Sequence, residues 1–498
     1  VKYAGEAFFV GALKRTAVIN VVGLAESLVG SATPNIARFA GQGAKAGIVP
    51  AFPAVTCTAQ STYLTGTAPG RHGIVGNGWY NRQLAEVQFW KQSNHLVGGA
   101  KIWEQLRGLD ASPSGIVAPS AAAQGQSPVA SARFTCAQLF WWFNMYSSAD
   151  YSITPRPAYP AAGGKVFDIY TWPYGIGPEI KRDLGEFPFP TFWGPAAGVH
   201  TPQGGADAAS RWIAASAKWI ENKYAPTLSL VYLPHLDYNL QRYGPGPTLA
   251  ADLAQIDSIA GDLISFFQTR GVQVILLSEY GIVAVDTPIH LNRLFRQKGW
   301  LAVKEELGLE ILDAGASKVF AVADHQVAHI YLNDRSLEGQ ARQVLENQGG
   351  IQSILGVNEK IAAGLDHPRA GDLIAEAKER AWFTYYYWLD DAKAPDFARC
   401  VDIHRKPGYD PVELFLDPRI PFIKLKILWR LLQKNLGYRM LMDVIPLDAT
   451  LVKGSHGRRA SSAEAQPLLI CERPELPLPA RIDSTEVCGI IKGRMVTP

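Results

Sequence analysis

The sequence predicts an α/β fold, a parallel sheet with helices on both faces. Three observations predict it. "TAVINVVG" (16–23), "TLSLVYLPH" (227–235) and "VQVILLSEYG" (272–281) are short, continuous apolar runs rich in β-branched residues, as strands buried on both faces require. "GADAASRWIAASAKWIEN" (205–222) and "TLAADLAQIDSIAGDLISFFQTRG" (248–271) carry apolar residues at helical spacing and directly precede the second and third runs. That is the alternation of a doubly wound sheet. Finally, Asn20, Asp237, Glu279 and the loop holding Thr56 fall at or near carboxyl ends of strands, where such sheets bind ligands.

The bulk numbers agree with a large globular chain. Of 498 residues, 47% are hydrophobic and 19% charged, enough for an extensive core. A net charge of +3 gives no footprint for nucleic acid. Five scattered cysteines without a CxxC pair indicate neither a disulfide framework nor a zinc knuckle, and fit a reducing compartment such as the cytoplasm. The first twenty residues hold Lys2, Glu6, Lys14 and Arg15 around an apolar run too short to span a membrane. Because the sequence starts at Val1, removal of a leader, and so an organelle, is also compatible with it.

Residues 282–372 change character. "KVFAVAD", "VAHIYLND", the helical "LEGQARQVLENQ" and "IQSILGV" predict a small α+β insertion. "HPRAGDLIAEAKE" (367–379) reads as a strand again, so 1–281 and 373–498 are expected to form the main core and 282–372 a cap. Residues 385–421 are long, irregular and rich in charge, Trp and Tyr, the pattern of an ordered functional loop. "IPFIKLKILWRLLQKNLGYRMLMDVIP" (420–446) is a basic amphipathic helix with Lys424, Lys426, Arg430, Lys434 and Arg439. Such a helix either covers a sheet, the commoner case, or makes peripheral contact with an anionic membrane.

The chemistry concentrates in "FPAVTCTAQSTYLTGTAPGRHGIVGN" (52–77). Thr56 precedes a helical stretch and is expected to cap it. A hydroxyl there faces free N–H groups and the positive end of the helix dipole, a site suited to phosphate. A hydroxyl touched by a metal ion becomes a usable nucleophile, and Asn77 is placed to offer an N–H to developing phosphoryl charge. Capping alone would explain Thr56 equally well.

Read without gaps, Thr56-x-x-x-x-x-Thr62-x-x-Thr65-Gly66-x-x-Pro69-x-x-His72-Gly73-Ile74-x-x-Asn77 resembles the nucleophile segment of the nucleotide pyrophosphatase/phosphodiesterases of the alkaline phosphatase superfamily. Further segments resemble that family in its order: "NVVGL" with "TPNIARFA", "LPHLDYNLQRYGP", "LSEYGI", "HPRAGDLIAEA" and "GSHGR". The resemblance implies an alkaline-phosphatase-like core, Thr56 as nucleophile with Thr58 as runner-up, and Asn77 as phosphate-binding amide. It also implies a divalent metal centre, and there the sequence departs. Val22 stands where the family has its first Asp, Gln241 and Tyr280 where it has His, and Glu279 where it has Asp. Asp237 and His456 are retained.

Asp237, Glu279, His456, Asn20, Gln241 and His404 are therefore the candidate metal ligands. This oxygen-rich set suits one divalent ion, Mg²⁺ or Mn²⁺ as much as Zn²⁺, better than a two-zinc pair. Asp324, His325, His329, His235 and Asp402 are further replacements. Lys406 is a candidate phosphate contact, and Tyr280 and Tyr80 are candidates for the substrate. Trp79, Tyr385 and Tyr386 either stack a base or pack in the core. His72 reads as a turn residue. Two functions are expected: a metal-dependent hydrolase of phosphodiester, pyrophosphate or phosphonate bonds in a small phosphorylated substrate, acting through a phospho-threonine, or a non-hydrolytic binder of phosphorylated metabolites or of a partner protein.

Overall fold

The computed structural model describes residues 13–107, 134–161, 164–201, 204–460, 462 and 465–496. Residues 1–12, with Lys2 and Glu6, lie outside the described residues.

The predicted runs form the centre of a nine-stranded, mostly parallel sheet. From one edge its strands are Arg481–Asp483, Ala44–Val49, Leu468–Cys471, Gln273–Leu277, Thr16–Val21, Leu228–Leu233, Cys136–Leu139, Tyr151–Pro155 and Ile169–Trp172. Thr16–Val21 is fully buried and pairs in parallel with both predicted neighbours, Asn20 facing Tyr232 on one side and Leu277 on the other. Its continuous apolar run is explained by burial on both faces.

Helices Ala208–Tyr224 and Ala250–Gln268 pack beside each other. Helix Pro34–Gln42 leans on the second of them. The buried Asp257 carboxylate accepts the backbone N–H groups of Asn35 and Ile36 at 3.1 and 2.8 Å, satisfying donors that a helix start leaves open.

The second lobe is larger than expected. Its antiparallel sheet runs Val319–Asp324, Val327–Leu332, Leu373–Ala377, Ile351–Leu355. Leu373–Ala377, expected as a late strand of the main sheet, pairs here on both sides. The boundary at 372 is therefore corrected. The apolar core of this lobe continues through Trp382, Tyr385, Tyr386, Tyr387 and Trp388 to Val452, and the chain rejoins the main sheet at Leu468–Cys471. Residues 385–421 are ordered as expected, in short 3-10 turns over this core. Tyr385 and Tyr386 are buried in it, which answers the choice left open for them in favour of packing.

Candidate active site

Thr56 is the first residue of helix Thr56–Thr65, and Val55, not Thr56, occupies the cap position. The hydroxyl is thus released from capping. Gly66 closes the helix in the left-handed conformation (φ 68°) that favours glycine. Inside the helix, Thr58 donates to the Ile74 carbonyl at 3.2 Å. Thr62 pairs with His72 Nε2 at 3.0 Å while His72 Nδ1 accepts the Ile74 N–H. His72 is a buried turn residue whose pKa burial pushes down to about 3.

The Thr56 hydroxyl lies 3.0 Å from the Tyr280 hydroxyl. Tyr280 in turn donates to Asp237 Oδ1 at 3.3 Å. Asp237 Oδ2 accepts from Gln241 Nε2 at 2.7 Å, and Gln241 Oε1 accepts from the Tyr409 hydroxyl at 2.9 Å. Spacing explains the Asp237–Gln241 pair: both sit on helix His235–Tyr243, one turn apart. Burial raises the Asp237 pKa to about 7, with the bonds from Gln241 and Tyr280 acting in the opposite sense.

Glu279 follows strand Gln273–Leu277 and is completely buried. Its Oε1 accepts from Asn20 Nδ2 at 2.5 Å and from Gln60 Nε2 at 2.6 Å. Burial raises its pKa to about 8, with the bonds from Gln60 and Asn20 acting in the opposite sense. Val22, in place of the family's carboxylate, is fully buried.

Asn77 ties the segment 56–77 to the second lobe. Its Oδ1 accepts the Cys57 N–H at 3.0 Å, and its Nδ2 donates to Asp324 Oδ1 at 3.1 Å. Asp324 also accepts the Asn77 backbone N–H at 2.7 Å. The amide is therefore already engaged on both ends, and only its second N–H remains for a phosphoryl oxygen. Burial lifts the Asp324 pKa to about 6.

Two imidazoles complete the site. His456 Nδ1 lies 2.8 Å from the Ala54 carbonyl, which places its proton there and leaves Nε2 a bare acceptor, 4.0 Å from Asp237 Oδ1. His325 Nδ1 likewise faces Asp324 Oδ1 at 2.8 Å. His325 stacks between Tyr409 and His456, with ring centroids 3.6 and 3.7 Å away, and Tyr280 lies flat on His456 at 3.6 Å. Burial holds both imidazoles well below their usual pKa, hence neutral.

The expected metal centre is not assembled by these residues. Among the described residues no group of three His, Cys, Asp or Glu side chains is placed to hold an ion. Asn20 and Gln241 spend their amide donors on Glu279 and Asp237, and the Tyr280 ring occupies the space between Thr56, Asp237 and His456. Glu279 Oε2, Asn20 Oδ1 and His456 Nε2 stay unpartnered, yet they do not form a closed ligand set. His404 faces the Phe89 carbonyl at 3.2 Å and not the carboxylates. His235 approaches Asp252 at 3.3 Å, and His329 lies 3.0 Å from the Val75 carbonyl.

Two substrate contacts are also corrected. Lys406 is buried with Nζ 2.7 Å from both Asp410 and Glu413, so its charge is spent inside the fold. Tyr80 packs edge-on against Phe320 and Tyr331 in the second-lobe core. Arg458 was not singled out by the sequence. It borders the narrow opening formed with Tyr280, Gln326 and His456, and its Nε and Nη1 are buried without a hydrogen-bond partner. Its only signal was its place two residues beyond His456.

The sequence profile of type I phosphodiesterases/nucleotide pyrophosphatases matches residues 16–410. None of the curated proteins matches the chain. Similar solved structures include the Sinorhizobium meliloti phosphonoacetate hydrolase in complex with phosphonoformate (14% identity, TM-score 0.58, covering 98% of this chain and 97% of that one). An inactive murine ectonucleotide pyrophosphatase/phosphodiesterase 5 in complex with AMP gives 13% identity and a TM-score of 0.54, covering 97% and 96%. The human counterpart of the latter gives 12% and 0.54, with the same coverage. At these identities the likeness concerns the fold.

Proposed function

We propose, from the premise that the chain belongs to the type I phosphodiesterase/nucleotide pyrophosphatase family, that it hydrolyses phosphodiester, pyrophosphate or phosphonate bonds with Thr56 as nucleophile. The observation that carries this reading is the chain Thr56 Oγ1–Tyr280 hydroxyl–Asp237 Oδ1. Tyr280 donates to Asp237, so its oxygen is free to accept the Thr56 proton. As Thr56 Oγ1 bonds to phosphorus and the leaving group departs, the Thr56 proton moves to Tyr280 and the Tyr280 proton to Asp237. A carboxyl with a pKa of about 7 is suited to that task near neutrality. Water then adds to phosphorus and breaks the Oγ1–P bond; the proton held on Asp237 returns through Tyr280 to the Thr56 oxygen, and the proton released by the water balances the anionic leaving group.

Asn77 Nδ2 and the guanidinium of Arg458 supply N–H groups for the phosphoryl oxygens. Members of the family generally use divalent metals. The donors here do not fit the two-ion group, and the steps above use only the chain's own side chains. Family membership does not favour the non-hydrolytic alternative.

Hydrolysis of bis(4-nitrophenyl) phosphate after exhaustive chelation tests this reading. Activity should survive chelation and fall by roughly 10²–10⁴ in Tyr280→Phe, the range of a lost acid–base group. Loss of activity on chelation, restored by zinc and indifferent to Tyr280→Phe, would refute it.

A further inference from the structure

Helix Ile423–Asn435 contains no buried residue. It is fixed to the second lobe by one side only, through partly buried Ile423 and Ile427 and through Lys426 and Arg430, both paired with Asp443. The opposite side carries Leu425, Leu428, Trp429, Leu432 and Leu436 at helical spacing. These are large side chains left in solvent, Leu428 at 63% and Trp429 at 56% exposure. Phe422 and Tyr438 extend the exposed apolar surface at the two ends. A soluble chain does not leave so continuous an apolar ridge without a use for it.

The charges around the ridge identify the occupant. From residue 418 to residue 442 the sequence has no Asp or Glu, but Arg419, Lys424, Lys426, Arg430, Lys434 and Arg439. Asp443 offsets Lys426 and Arg430, and Lys434 lies over the Phe167 ring, which leaves Lys424 exposed beside the ridge and Arg439 exposed just beyond its end. Two copies meeting through this face would bring like charges together. An anionic bilayer complements both features: it takes the apolar side chains into the acyl boundary and the cations among its headgroups. The helix is about 20 Å long, too short to cross a bilayer, and no described helix is long and apolar enough to do so. We infer that helix 423–435 is a peripheral docking surface that lies in the plane of an anionic lipid membrane.

Co-sedimentation of the full chain with vesicles tests the inference. The protein should pellet with equimolar phosphatidylcholine/phosphatidylglycerol vesicles, remain in solution with phosphatidylcholine alone, and be released by high salt. The double variants Leu428→Ser/Trp429→Ser and Lys424→Glu/Arg439→Glu should each lower partitioning by at least about ten-fold. The substituted side chains are exposed, so both variants should melt as the parent does. Three results would each overturn the inference: no binding of the parent chain to anionic vesicles, undiminished binding by the apolar variant, or a dimer in gel filtration that the apolar variant dissolves. The last would assign the ridge to self-association.

Discussion

Two regions meet at Thr56, and they are built on opposite terms. The segment from Thr56 to Asn77 is pinned largely by its own backbone. Thr58 holds the Ile74 carbonyl, Thr62 and His72 lock each other, and Asn77 holds the Cys57 N–H. The shell around it, on Asp237, Gln241, Glu279, Tyr280 and His456, is pinned by side chains that satisfy one another. Three of the departures from the family's ligands are neutral groups, and two of those hydrogen-bond a neighbour. Gln241 feeds Asp237, Tyr280 bridges Thr56 and Asp237, and Val22 removes a charge outright. Two cations would neutralise a set of buried carboxylates. Here two carboxylates remain, each wrapped in amide or phenol donors, and burial raises both pKa values. The segment that carries Thr56 is therefore held by bonds of its own, separate from those of the shell around it.

The comparison breaks most sharply at Thr56. Thr56→Ala should abolish turnover of an activated phosphodiester, whereas Thr58→Ala, which removes only a bond to a carbonyl, should keep most of it. Steady-state rates for the two variants check this, and the opposite ranking would move the nucleophile. Asn77 stands between the regions. Asn77→Ala should lower kcat by roughly ten- to a thousand-fold, the scale of one lost oxyanion donor. It also removes the contact to Asp324, so thermal melting should fall as well. A change in melting with kcat intact would make Asn77 a strut alone.

The fold was legible where burial alone decides. Thr16–Val21, Leu228–Leu233 and Gln273–Leu277 read as strands because a run buried on both faces is continuously apolar. Leu373–Ala377 is legible as a strand but not in its sheet, since periodicity reports burial and not the partner. The order of the site along the chain was also legible. Its contacts were less so: Asn77 to Asp324 spans 247 residues with no local signal. Lys406 was misread for a different reason. Its charge suggests phosphate, while Asp410, four residues further along the same loop, is the visible sign of a buried ion pair.

A smaller effect separates binding from chemistry. Arg458 borders the opening with two unpartnered nitrogens, and nothing ties it to the Thr56–Tyr280–Asp237 chain. Arg458→Ala should raise KM by about ten-fold, the value of one charge-assisted hydrogen bond, with kcat nearly unchanged. An equal fall in kcat with KM constant would place the guanidinium on the transition state instead.

The smallest expected effect touches the fold alone. Glu279 titrates at about 8 in the folded chain, raised chiefly by burial, and near 4.3, roughly the ordinary Glu value, in the unfolded one. Between those values the folded state holds a proton that the unfolded state has released. Its contribution to stability is therefore complete below the unfolded pKa and is lost as pH rises through the folded one. The limiting slope is about 1.4 kcal/mol per pH unit. Glu279→Gln keeps the shape and an acceptor for Asn20 and Gln60 but removes the titration. Denaturant midpoints measured from pH 5 to 8 should decline less steeply in this variant than in the parent. Parallel declines would mean that Asp237 and Asp324, not Glu279, carry the dependence, and the balance of charge in the shell would have to be redrawn around them.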